Sequence, residues 1–168
     1  MTQAQPQACV YVSAGSNIEP QQNLRSALDE LERVFGKLDL SAVYRTRAVG
    51  FEGDDFLNLV LSFVTSLPPE KVVAELDRVE TSAGRYREGE RFAPRTLDLD
   101  LLLYGDTVVD GPDLTLPRAD VTDYAFVLGP LAELAPDLAH PVLGETMQAL
   151  WSAFDQSAQP ITRLAESL

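Results

Sequence analysis

Residues Glu90 to Asp100 read Glu-Arg-Phe-Ala-Pro-Arg-Thr-Leu-Asp-Leu-Asp, joining two arginines to two carboxylates spaced i, i+2. An apolar run begins at the same point, so the acids fall on a strand. Alternate residues of a strand share a face, which turns Asp98 and Asp100 one way and Leu97, Leu99 and Leu101 the other. Carboxylates roughly 7 Å apart along a strand can share two divalent cations roughly 3.5–4 Å from each other. Oxygen ligands of this kind suit Mg²⁺, which takes one or two carboxylates and fills its other positions with water and substrate phosphates. Arg91 and Arg95 supply positive charge for phosphate oxygens. The pattern points to phosphoryl or nucleotidyl chemistry.

The charge distribution agrees. The formal net charge is −13, yet four of the thirteen Lys and Arg residues, Arg85, Arg87, Arg91 and Arg95, crowd into one short stretch. A basic island in an acidic molecule focuses a small anion. The acidic total argues against nucleic acid as partner, because phosphate-backbone binding needs a basic face. No apolar run approaches the roughly 18 residues of a spanning helix, and no basic-then-apolar leader opens the chain. The expectation is a cytoplasmic protein of one domain over residues 1–168, monomeric, with no membrane partner. Cys9 is the only cysteine, which excludes a disulfide framework and a thiolate metal site. Its apolar surroundings, Ala8 to Val12, predict a core position.

The elements that must hold these groups follow from periodicity. Residues 8–13 form a β-prone run, and Ala14-Gly15-Ser16-Asn17 reads as a tight turn. Leu24, Ala27, Leu28, Leu31, Val34 and Phe35 recur at helical spacing over 21–35, with Gly36 as the stop. A second strand is expected over 38–45 and a strong third over 56–64. Pro68-Pro69-Glu70 opens a second helix carrying Val72, Val73, Leu76 and Val79. The Arg-rich loop 84–95 leads into the strand 96–104, and Gly105-Asp106 turns into 107–109. Helices are expected over 124–134 and 147–154, completing a core of about 8–154. The tail, 155–168, shows little periodicity and is expected to be loosely held. Strand, helix, strand, strand, helix, strand is the order of a ferredoxin-like α+β sandwich, with a mostly antiparallel sheet, helices packed on it and extra C-terminal elements.

These residues resemble the 6-hydroxymethyl-7,8-dihydropterin pyrophosphokinase family over roughly 8–152. The sharpest motif is Arg91-Phe92-Ala93-Pro94-Arg95-Thr96-Leu97-Asp98-Leu99-Asp100-Leu101-Leu102. Gly15-Ser16-Asn17, Tyr44-Arg45-Thr46, Phe56-Leu57-Asn58 and Gly84-Arg85 support it in order. The resemblance implies an ATP-dependent transfer of pyrophosphate to the hydroxymethyl oxygen of the pterin, releasing AMP, in folate biosynthesis. It implies Asp98 and Asp100 as ligands of two Mg²⁺ ions, and Arg85 and Arg95 as catalytic groups stabilising the transferring charge. Arg85, Arg87, Arg91, Arg95, Thr115, Arg118 and Glu80 would bind ATP, beneath a loop able to close. Thr46, Val49, Phe56, Asn58 and Phe126 would surround the pterin, two aromatics sandwiching it and Asn58 donating and accepting at its amide-like edge. Without the resemblance, Phe56 and Phe126 read as core, Asn58 as a strand-end cap and Glu80 as a solvated helix residue.

The chain departs from the family pattern in places. Arg118 stands where histidine is usual, Asp113 and Tyr124 where arginine is frequent, and Ala119 where some members carry an aromatic. Arg47 replaces a common proline and Phe92 a common tryptophan. An arginine still holds a phosphate, whereas Asp113 would repel one that it faced. His140 is the only histidine, lies away from the acids and reads as structural. Two alternatives stay open: a paralogue that binds pterin or nucleotide without efficient turnover, and another two-metal nucleotidyltransferase.

Overall fold

Val10, Val12 and Ala14 alternate into the core and build β1 (Ala8–Ser16). In the computed structural model, which describes residues 6–47, 55–83 and 97–168, this strand is the hub of the sheet. A helix follows, α1 (Pro20–Phe35), opened by Pro20 and closed by Gly36, whose positive φ of 82° favours a residue without a side chain. Leu24, Ala27 and Leu31 form its buried stripe. The expected second strand is two short ones, β2 (Asp39–Leu40) and β3 (Tyr44–Thr46). Ser41 separates them by binding Val60 through its N–H and its Oγ, at 2.9 and 3.0 Å.

The central strand β4 (Phe56–Thr65) is buried on both faces over most of its length. It leads through Pro68 to α2 (Pro69–Ser82), whose buried residues are Val72, Leu76, Val79 and Glu80. Then comes β5 (Asp98–Tyr104). A hairpin of β6 (Val109–Asp110) and β7 (Thr115–Leu116) follows, then the single turn α3 (Asp120–Asp123) and α4 (Ala125–Leu134). The chain continues with α5 (Met147–Ala153), capped by Thr146, and β8 (Thr162–Arg163).

The sheet order is β5-β1-β4-β3-β8, with β2 also on β4 and every pairing antiparallel. Its first four members carry the ferredoxin-like order. Helices α1 and α2 cover one face, burying Leu59, Leu61, Leu99 and Leu101. Helix α4, with Met147 of α5, covers Val60 and Leu102 on the other. No helix among the described residues is long and apolar enough to cross a membrane.

Three expectations are corrected. Gly15 and Ser16 are not a turn but the end of β1, because the ladder to β4 holds both and β5 pairs with Gly15 on the other side. Cys9 is exposed rather than core, since strand alternation turns it away from buried Val10. The tail is not loosely held: β8 pairs with β3, and Leu164 N–H donates to Val43 C=O at 2.8 Å.

Candidate active site

Directly opposed residues of antiparallel strands share a face. Asp98 lies opposite Gly15, Gly15 opposite Asn58, and Asn58 opposite Tyr44. A row therefore crosses four strands on the face that α4 covers. Neighbouring strands are about 4.8 Å apart, which separates the Asp98 and Asn58 backbones by about 10 Å. Gly15 lies between them and raises no side chain from the floor. A β-carbon there would sit 2.7 Å from Asn58 Oδ1, an impossible contact.

Asp98 and Asp100 stand half-buried on this face, while Leu97, Leu99 and Leu101 are buried. As an edge strand, β5 has an outer row of backbone groups to satisfy. Glu80, only 4% exposed, accepts the Leu99 N–H on Oε2 at 3.1 Å, and Arg118 N–H donates to Leu102 C=O at 2.9 Å. Glu80 is thus a buried anchor of the acidic strand rather than a solvated residue. The signal was present in the sequence: Val72, Leu76 and Glu80 are spaced i, i+4, i+8, on the apolar stripe of α2.

Arg118 faces the same acids. Its Nη2 lies 3.7 Å from Asp100 Oδ1 and its Nε 3.1 Å from Asp120 Oδ2. Burial disfavours the guanidinium charge, but Asp100, then Asp120 and Asp98, more than offset this and strengthen its hold on the proton. Glu80, Asp98, Asp100, Thr115 and Arg118 line one cleft of about 390 Å³ along the outer edge of β5. Asp113 lines it too. A larger cleft, of about 700 Å³, lies beside β2, β3 and the chain's C-terminus, at the opposite sheet edge from the acid pair.

Three of the expected pterin residues, Thr46, Phe56 and Asn58, lie together further along the same face. Asn58 Nδ2 donates to Thr46 Oγ1 at 2.8 Å, and Phe56 lies opposite Thr46. Phe126 sits at the start of α4 and stacks on Tyr124, with ring centroids 5.1 Å apart and planes 25° from parallel. Sequence reasoning missed Tyr124 as an aromatic partner, and Gly15 as more than a turn. Val49, Arg85, Arg87, Arg91 and Arg95 lie outside the described residues.

An acid pair and an amide thus stand on one face of the sheet, and comparison with known proteins gives the family. The model of the family described as 7,8-dihydro-6-hydroxymethylpterin-pyrophosphokinase (HPPK) matches residues 11–136. The chain belongs to the HPPK family. It is 39% identical over 159 residues to the 2-amino-4-hydroxy-6-hydroxymethyldihydropteridine pyrophosphokinase of Synechocystis sp., covering 91% of this chain and 80% of the relative. The Pseudomonas aeruginosa enzyme of the same name is 40% identical over 136 residues, covering 79% and 83%. Among solved structures, Plasmodium falciparum HPPK-DHPS with pterin and p-hydroxybenzoate superposes with a TM-score of 0.71 at 14% identity, over 90% of this chain and 44% of that one. The same wild-type protein in a further crystal structure gives 0.70 at 13%, over 90% and 45%. At such identities the likeness shows the HPPK fold alone, and this chain spans less than half the length of those proteins.

The donor set of this HPPK chain suits Mg²⁺. Two carboxylates of one strand face offer hard oxygen ligands, the kind Mg²⁺ takes alongside water and phosphate oxygens. The Arg118 guanidinium beside Asp100 shows that this ground already holds a cation.

Proposed function

We infer that the chain is an ATP-dependent pyrophosphokinase: it transfers the pyrophosphoryl group of ATP to the hydroxymethyl oxygen of 6-hydroxymethyl-7,8-dihydropterin, giving the pterin diphosphate and AMP. Membership of the family supports the reaction. The observation that supports the assignment of residues is the row Asp98–Gly15–Asn58, which sets an acidic end and an amide end on one face of the sheet.

In this reading ATP enters along the outer edge of β5, with its triphosphate between Asp98, Asp100 and Arg118, and Thr115 and Glu80 on the wall. Mg²⁺, taken as two ions held by Asp98 and Asp100, would supply charge neutralisation for the triphosphate and polarise the attacking hydroxyl. Asn58 and Thr46 bind the polar edge of the pterin, and Phe56 and Phe126, with Val49, enclose its faces. The pterin oxygen then bonds to the β-phosphorus, its hydroxyl proton passing to solvent, as the bridge to the α-phosphate breaks and AMP departs with the bridging oxygen. Arg85 and Arg95 stabilise charge on the transferring group, with Arg87 and Arg91 assisting. The enzyme is read as a single-domain monomer of the cytoplasm.

The test is turnover of ATP, Mg²⁺ and 6-hydroxymethyl-7,8-dihydropterin, with the released nucleotide identified. AMP is expected, and its release should collapse in Asp98→Ala and in Asp100→Ala. Release of inorganic pyrophosphate would replace this reading with nucleotidyl transfer, and full activity in both variants would remove the acids from the chemistry.

A further inference from the structure

We propose that the C-terminal segment Gln159–Leu164 is a positioning element of the pterin site, tying together its two walls, β3 and the start of α4. The proposal rests on the assignment of Thr46, Asn58 and Phe126 to the pterin, and the segment itself lies beyond the residues that the family model matches.

The first tie is at the junction of α3 and α4. Helix ends leave backbone donors and acceptors without partners. Gln159 meets one of each: Oε1 accepts Ala125 N–H at 3.0 Å, and Nε2 donates to Asp123 C=O at 3.0 Å. These two groups flank Tyr124, the residue stacked on Phe126. One carboxamide therefore fixes the backbone on both sides of Tyr124. Two residues on, Ile161 packs against α4, where a β-carbon on Gly129 would lie 2.8 Å from Ile161 Cδ1.

The second tie is at β3. This strand has three residues, and β8 is its outer neighbour, pairing Tyr44 with Arg163 and Arg45 with Thr162. The site row is thereby extended to five strands: Asp98, Gly15, Asn58, Tyr44, Arg163. Arg163 Nε donates to Glu133 Oε1 at 2.7 Å, and Glu133 Oε2 accepts Ala42 N–H at 2.9 Å and Tyr44 O–H at 3.3 Å. Burial would raise the Glu133 carboxyl, but the Ala42 N–H and then Arg163 outweigh it and hold the group below the usual carboxylate range. Glu133 belongs to α4, so this knot joins α4, β3 and β8 at one point. Thr46, which orients Asn58, is two residues along β3 from Tyr44.

A segment that clamps both walls sets their spacing, and spacing decides how a flat ring is gripped. The acid pair stands at the opposite edge of the sheet and has its own supports in Glu80 and Arg118. The effect is therefore selective for pterin over nucleotide.

The experiment uses the full chain carrying Gln159→Ala, Arg163→Ala or both, at a temperature where circular dichroism shows each variant folded. Binding of 6-hydroxymethyl-7,8-dihydropterin and of Mg²⁺ with a non-hydrolysable ATP analogue is measured by calorimetry. Kinetic constants for both substrates are determined alongside. Losing the two Gln159 hydrogen bonds should weaken pterin binding about fivefold, and the double variant about tenfold or more. Nucleotide affinity should stay within about twofold, and Arg163→Lys should recover part of the loss. Unchanged pterin affinity in the double variant, or an equal loss for both ligands, overturns the proposal. Asn58→Ala, measured beside them, separates the two readings. If Asn58→Ala weakens pterin binding and the tail variants do not, the positioning role alone fails. If Asn58→Ala has no effect, the assignment of the pterin site fails and takes the proposal with it.

Discussion

Gly15 and Asn58 face each other across β1 and β4 so closely that the space for a β-carbon on Gly15 is filled by Asn58 Oδ1. Asn58 is at the same time held by Thr46, so it cannot retreat without breaking that bond. Gly15→Ala should therefore displace the amide rather than unfold the sheet. Forced displacements of this size cost about 1–3 kcal/mol, and we expect pterin affinity to fall about tenfold or more. Calorimetric titration with pterin, and separately with Mg²⁺-bound ATP analogue, checks that the loss falls on the pterin alone.

In the proposed reading, Arg118 competes with the metal for Asp100. The two groups lie 3.7 Å apart, with 43% and 37% of their side chains exposed, so water and salt screen the pair and its worth is modest. Arg118→Gln should let Mn²⁺, added without nucleotide, bind the acid pair about threefold more tightly. The same change should weaken ATP binding, because a phosphate loses a guanidinium partner. Electron paramagnetic resonance of free Mn²⁺ reads the first effect and calorimetry the second. Metal affinity that does not move would show that Arg118 does not guard the acids.

His140 is buried, and its Nδ1 accepts the Val142 and Leu143 N–H groups at 3.2 and 3.1 Å, closing the turn before α5. Burial lowers its pKa below the ordinary 6.5. The unfolded chain therefore binds the proton more readily than the fold. The contribution of neutral His140 is whole above about pH 6.5 and drains away as pH falls towards and through the lower folded value. Melting temperature should decline on acidification from pH 7 to 5, and the decline should flatten in His140→Asn, which keeps an acceptor but does not titrate. Turnover at pH 7.5 should survive that substitution, since His140 lies outside the site.

What was legible in the sequence was what is local. The period of two that puts Asp98 and Asp100 together, and the helical stripes of α1 and α2, need no knowledge of distant partners. Gly15-Ser16 carries turn residues, but ladders from β4 and β5 override that preference, and neither is visible in the local string. Ser41 breaks the second strand through contacts with Val60, nineteen residues away. The tail misled for the same reason. Gln159 and Arg163 lack any periodicity, and their partners Asp123, Ala125 and Glu133 lie thirty or more positions back. Cys9 shows the opposite error: an apolar neighbourhood suggested burial, whereas alternation along β1 decides which side is covered.

Glu80 gives the sharpest separation of support from chemistry. Its Oε2 receives the Leu99 N–H, the amide between the two acids, from a position almost closed to solvent. Glu80→Ala removes that acceptor at the open edge of β5, and an unsatisfied buried donor costs about 1–3 kcal/mol. Melting temperature should fall by several degrees, about 2–4 °C for each kcal/mol lost in a chain of this size. With β5 less firmly held, Asp98 and Asp100 lose their common setting, so kcat should fall further than stability alone explains. Glu80→Gln keeps a carbonyl acceptor and should recover most of the melting temperature. If Glu80→Gln restores stability and rate together, Glu80 acts as an anchor of β5. If it restores stability but leaves the rate depressed, the carboxylate charge itself contributes to holding the metal-bound nucleotide in the cleft it lines.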